Sequence, residues 1–104
     1  MSKKTSNTAA ALMYAGKKRT VSKNTQVEDG NLYLFGNRIA IDSGENTIIS
    51  HRGWLTPTTK DRLNALTNVS ICQKRGSWFL NGREWNGDWV LVNKLTGEWV
   101  PEVK

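Results

Sequence analysis

The chain has one cysteine, one histidine and two prolines in 104 residues. A lone thiol, Cys72, excludes an internal disulfide and offers no metal-ligand spacing. Its setting, Val69-Ser70-Ile71-Cys72-Gln73, reads as a strand, so a buried, inert thiol in a reducing cytoplasm is expected. The lone imidazole, His51, has no carboxylate at a suggestive spacing. No nucleophile elbow, phosphate-binding loop or dinucleotide-binding glycine pattern occurs. This inventory argues against an enzyme, and it assigns no residue to a cofactor or a metal. No apolar run approaches the length of a membrane span. The apolar stretch Ala9–Ala15 is at the short limit for a signal-peptide core, and Lys17-Lys18-Arg19 follows at once. A short transient helix capped by Asn7 or Thr8 and stopped at Gly16 fits it better.

Acidic residues are absent from the first 27 positions, which carry Lys3, Lys4, Lys17, Lys18, Arg19 and Lys23. Residues 28–104 balance nine Lys or Arg against nine Asp or Glu, so the whole excess of +6 sits at the N-terminal end. Two regions follow: a basic, largely disordered, flexible tail over 1–29 and a small folded domain over 30–104.

The domain is organised around His51–Leu66, HRGWLTPTTKDRLNAL. Pro57 suits the first position of a helix, with Thr56 as N-cap; Thr58 competes for the cap, with Asp61 three residues on. Trp54 and Leu55 are expected to pack beneath the helix start. Arg52, Thr58, Lys60 and Arg62 near that N-terminus form a candidate anion site, against the plainer reading of a capped helix covering a sheet. Before the helix, Asn31–Phe35, Arg38–Ile41 and Thr47–His51 read as strands, with a turn at Gly36-Asn37 and with Ile39 and Ile41 inward. After it, Asn81-Gly82 and Asn86-Gly87 are hairpin signals. Pro101 should stop a final edge strand. The expected fold is α+β, in the order β-β-β-α-β-β-β. One short helix packs on an antiparallel twisted sheet, which is either open or curled into a partly open barrel.

Five tryptophans are many for this length. They serve either to bury area or, in part, to bind. Trp85, between two Asn-Gly pairs and beside Arg83, is the expected stacking or protein-binding residue. The run Gly53-Trp54, Thr58-Thr59-Lys60 and Arg62-Leu63-Asn64, followed by Asn81-Gly82 and Trp85 and preceded by Gly36-Asn37, resembles a group of small tailed-phage proteins. The resemblance covers about residues 31–91. It implies a phage protein acting in the host cell cytoplasm, and it names no activity.

Three functions are weighed. The first is a nucleic-acid-binding accessory protein, acting on DNA in preference to RNA. Its contacts are the tail cations Lys3, Lys4, Lys17, Lys18, Arg19 and Lys23 together with Arg52, Thr58, Lys60 and Arg62. The second is an inhibitor or adaptor that binds a host protein or a defence nuclease complex through Trp85 and Arg83. The third is a virion component. No membrane partner is expected.

Overall fold

A computed structural model describes residues 3–101. The chain enters through helix α1 (Lys3–Tyr14), then runs β1 (Arg19–Ser22), β2 (Thr25–Glu28), β3 (Asn31–Leu34), β4 (Asn37–Ser43) and β5 (Asn46–Ile49). It leaves through α2 (Pro57–Asn64) and a small meander of β6 (Ile71–Lys74), β7 (Ser77–Leu80) and β8 (Arg83–Glu84). It returns with β9 (Val90–Asn93) and β10 (Trp99–Pro101). A seven-stranded antiparallel sheet has the order β1-β2-β3-β4-β5-β9-β10, and a separate three-stranded sheet has the order β6-β7-β8.

The fold is α+β, but the expected order of one helix between two sets of three strands is wrong. Among the described residues there are ten strands in two sheets and two helices. The expected flexible basic tail is instead a helix and a hairpin, with β2 paired to β3 in full register across Asp29-Gly30. Ser6, Ala9, Ala10 and Met13 of α1 are buried at the i, i+3, i+4, i+7 spacing of a core-facing helix. The small side chains of Ser6, Ala9 and Ala10 let the helix lie close on the sheet, and complete burial of Met13 alone contributes about 1.5–3 kcal/mol. Gly16, at φ +70°, ends α1. The N–H of Gly16 bonds the Met13 carbonyl and that of Lys17 bonds the Leu12 carbonyl, a Schellman closure.

Helix α2 begins as the sequence indicates. Thr56 is the N-cap, its Oγ1 accepting from the Thr59 N–H at 3.2 Å, and Pro57 opens the helix. Asn64 joins the other end to β6, exchanging two hydrogen bonds with the backbone of Ile71. Val27, Leu32, Leu34, Ala40, Ile49, Val90 and Val92 form the inner sheet face and are buried with α1, Leu63 and Leu66 of α2, and Ile71, Trp78, Leu80 and Trp85 of the small meander.

Several local expectations are corrected. The β3–β4 turn residues are Phe35 and Gly36, at φ +51° and +78°, and not Gly36-Asn37. Ile41 does not point inward but pairs Ile48 half-buried, because the register shifts by one residue within β4. Cys72 is exposed. Trp54 and Leu55 are exposed and are not tucked under α2.

The outer face of the seven-stranded sheet carries the alternate residues. Pairing places Thr20, Gln26, Tyr33 and Arg38 in one cross-strand row. Ile41, Ile48, Leu91 and Val100 form the next.

Candidate functional site

The helix N-terminus does not assemble the expected anion site. Arg62 is 4% exposed and points inward. Its Nε donates to Thr25 Oγ1 (2.8 Å), Nη1 to Ser6 Oγ (2.8 Å) and Asp61 Oδ2 (3.2 Å), and Nη2 to Asn24 Oδ1 (3.4 Å). Ser6 Oγ in turn donates to Asp61. Burial pushes the guanidinium pKa down from its usual value and Asp61 opposes that shift. This cation fastens α1, the β1–β2 turn and α2 together, so the expectation that it is a solvent-facing contact is withdrawn. Lys60 reaches over to Gln73 Oε1 at 3.2 Å, Thr58 is half-buried, and Arg52 lies elsewhere. Trp85, expected to be exposed, is 3% exposed; its indole N–H donates to the Asp88 carbonyl. Arg83 is exposed and covers the Trp99 ring at 3.7 Å, its Nη2 bonding the Trp99 carbonyl. Lys4, Lys17, Lys18, Arg19 and Lys23 are exposed along α1 and β1, and the Lys3 side chain lies outside the described part.

What does assemble is an aromatic and arginine cluster at one end of the outer face. Three local devices build it. The first is the bulge in β4. Ala40 pairs Leu32 on the core face, while Arg38 pairs Tyr33, leaving Ile39 as an extra residue. Without that extra residue Arg38 would share the core face of Ala40; the bulge turns it outward. The second is the β3–β4 turn, which holds Phe35 54% exposed in the left-handed region. A bulky residue rarely sits there.

The third device is the loop from Ser50 to Leu55. Ser50 Oγ and the His51 N–H both donate to the Gly87 carbonyl, at 2.7 and 3.2 Å. The imidazole edge meets Trp78 (ring centroids 5.2 Å apart, 74°) and tilts on Trp85 (5.5 Å, 58°). It leaves Gly87 no room for a side chain, since a Cβ there would fall 1.8 Å from Nε2. His51 Nδ1 accepts from the Gly53 N–H at 2.9 Å, so the neutral ring carries its proton on Nε2. The Trp54 N–H closes the turn onto the His51 carbonyl at 2.8 Å.

This anchored loop presents Arg52, Trp54 and Leu55. Trp54 stacks on Phe35 with centroids 5.5 Å apart and planes 29° apart. Trp89 lies on the same side, with the guanidiniums of Arg38 and Arg52 each 5.9 Å from its ring centroid. Trp54 is 39% and Leu55 61% exposed. Among the described residues, no three His, Cys, Asp or Glu side chains gather as a metal site would require. No helix among them is long and apolar enough to cross a membrane.

His51 yields a pH prediction. Burial is the largest influence and lowers its pKa below 6.5, with its own backbone, Asp88 and the Asn86 backbone opposing. A group depressed in the folded state contributes stability that is fully present above the unfolded value and is lost as pH falls through the folded value. The urea midpoint should therefore decline as pH is lowered from about 6.5. Because the chain holds one histidine, its imidazole NMR titration is unambiguous. A folded-state midpoint at or above the usual histidine value contradicts the packing described.

The sequence reading missed Phe35, Arg38 and Trp89. Alternation could have found Trp89: with Val90 and Val92 inward, Trp89 and Leu91 must face out. Alternation from an inward Ile39 also puts Arg38 outward, but its meeting with Trp89 depends on the order of β4, β5 and β9, which alternation does not give. No curated protein and no solved structure matches the chain. The family model described as Kyanoviridae Gp96 protein matches residues 1–100, and the chain belongs to that phage protein family.

Proposed function

We propose that this phage protein is an accessory factor that binds single-stranded nucleic acid in the host cytoplasm, through the cluster of Phe35, Arg38, Arg52, Trp54 and Trp89. The observation that carries the reading is Trp89 with two arginine guanidiniums each 5.9 Å from its ring, beside an exposed Phe35–Trp54 stack. Aromatic faces stack on unpaired bases whatever their identity, and neighbouring guanidiniums contact the phosphates between them. Bases within a duplex offer no free face to such a platform, so single strands are favoured. The reading makes the protein a binder and assigns no catalytic residue. It shifts the contact surface from the N-terminal lysines to the outer face.

The test is a fluorescence-anisotropy titration of one labelled sequence as single strand and as duplex, with DNA and RNA arms, over a salt series. The single strand should bind at least about tenfold more tightly. Its log–log salt slope should be roughly −0.7 for each phosphate engaged. Equal or tighter binding of the duplex sinks the reading.

A second reading, a protein partner, draws on the adjacent row Ile41, Ile48, Leu91 and Val100, which is apolar on the uncovered face and ends in a largely exposed Val100. Such a row suits a protein surface better than a polynucleotide.

A further inference from the structure

We infer that the nucleic-acid site does not end at Trp89 but runs across the outer face, perpendicular to the strands, to a groove at Lys18 and Arg19. The extension rests on the single-strand reading above and defines its footprint.

The register supplies the path. Thr20 pairs Gln26, Gln26 pairs Tyr33 and Tyr33 pairs Arg38, all in one row facing away from the core. Arg38 then reaches Trp89, which precedes β9. At the other end lies a groove of about 720 Å³, walled in part by Lys18, Arg19, Thr20, Gln26, Tyr33 and Gly36. That volume is in the range of small-molecule sites and accommodates a nucleotide. From β1 to β9 the path crosses five strand spacings, about 24 Å. A site of this length corresponds to about four nucleotides, the short end for a single-stranded binding domain.

The chemistry is matched along the path. Trp89 and the ring of Tyr33 are two stacking surfaces on one face, with Arg38 between them for the intervening phosphate. Thr20 and Gln26 offer a hydroxyl and an amide to the backbone or to base edges. Lys18 is 3.8 Å from Glu28, which lines the same groove, so its charge is partly offset. Arg19 pairs the core residue Val27 and so lies on the other side of β1, whereas Lys18 shares the side of Thr20 and is the cation that serves the far end.

Full-length protein titrated with labelled oligothymidylates of about two to eight nucleotides tests the footprint. Wild-type affinity should climb with length and level off at about four to five nucleotides. Lys18→Ala with Tyr33→Ala should bind the shortest oligonucleotides as wild type does, yet lose the gain with length, ending about tenfold weaker at the plateau. Lys18→Glu alone, at an exposed position, should flatten the curve in the same direction if the double variant folds poorly. Tyr33→Phe, which keeps the ring, should restore the gain. If the variants follow the wild-type length curve, the extension is wrong while the Trp89 site stands. If wild type binds no oligonucleotide of any length, the single-strand reading fails and the extension with it.

Discussion

Replacing Arg62 with alanine should destabilise the fold by about 3–5 kcal/mol, the cost of stripping one member from a buried, hydrogen-bonded charge network. Against a total of about 5–15 kcal/mol for an ordinary domain, that is a large fraction. The loss has two parts. Asp61, 32% exposed at its side chain, keeps only the Ser6 hydroxyl as a partner. Thr25, fully buried, loses the donor to its Oγ1. The same network makes removal of residues 1–27 more damaging than any single change. The truncation takes away Ser6, Asn24 and Thr25, the buried face of α1 and the strand beside β3, so residues 28–104 alone should not fold cooperatively. Lys60→Ala is the control. Its ammonium makes one exposed hydrogen bond, and its loss should cost under about 0.5 kcal/mol. Urea unfolding monitored by tryptophan fluorescence reads all three. An Arg62→Ala protein within about 1 kcal/mol of wild type would mean that water replaces the lost contacts and the network is not holding α1.

Features fixed by backbone chemistry were legible before the structure. Thr56-Pro57 announces a helix start because a capping hydroxyl and a missing N–H are local needs. Asn81-Gly82 announces a hairpin because both residues tolerate positive φ, and β7 and β8 flank it. Pro101, expected to stop the last edge strand, is itself part of it and pairs Val90. Asn86-Gly87 carries the same letters and is not a hairpin: Gly87 is there to admit the His51 ring. The stop of α1 at Gly16 was legible, but its reach back to Lys3, past the expected cap at Asn7 or Thr8, and its docking were not, because its buried face is two alanines, a serine and a methionine, too little apolar area to outweigh six nearby cations in a composition argument. The role of Arg62 was illegible because its neighbours come from positions 6, 24 and 25, and nothing in the sequence ties these polar residues to one buried arginine. The site shared that fate. Trp85 stood out by its neighbours in sequence, whereas Trp89, Arg38 and Arg52 meet only after β4 and β9 have flanked β5.

If Trp89 is a base-stacking surface, Trp89→Ala should weaken binding in the single-strand titration. Loss of one stacked base is worth about 1–3 kcal/mol, so the Kd should rise roughly 5- to 150-fold. Arg38→Ala with Arg52→Ala, both exposed, should leave the melting curve nearly unchanged. That pair should make the log–log salt slope shallower by about 1.4, two phosphate contacts at roughly 0.7 each. Trp89→Phe should retain most of the affinity, because a ring remains beside the arginines. Trp89→Ala should fold with its unfolding transition intact and bind the oligonucleotide at least fivefold more weakly, at the low end of that range. A folded Trp89→Ala protein that binds the single strand within twofold of wild type would contradict a stacking role for Trp89.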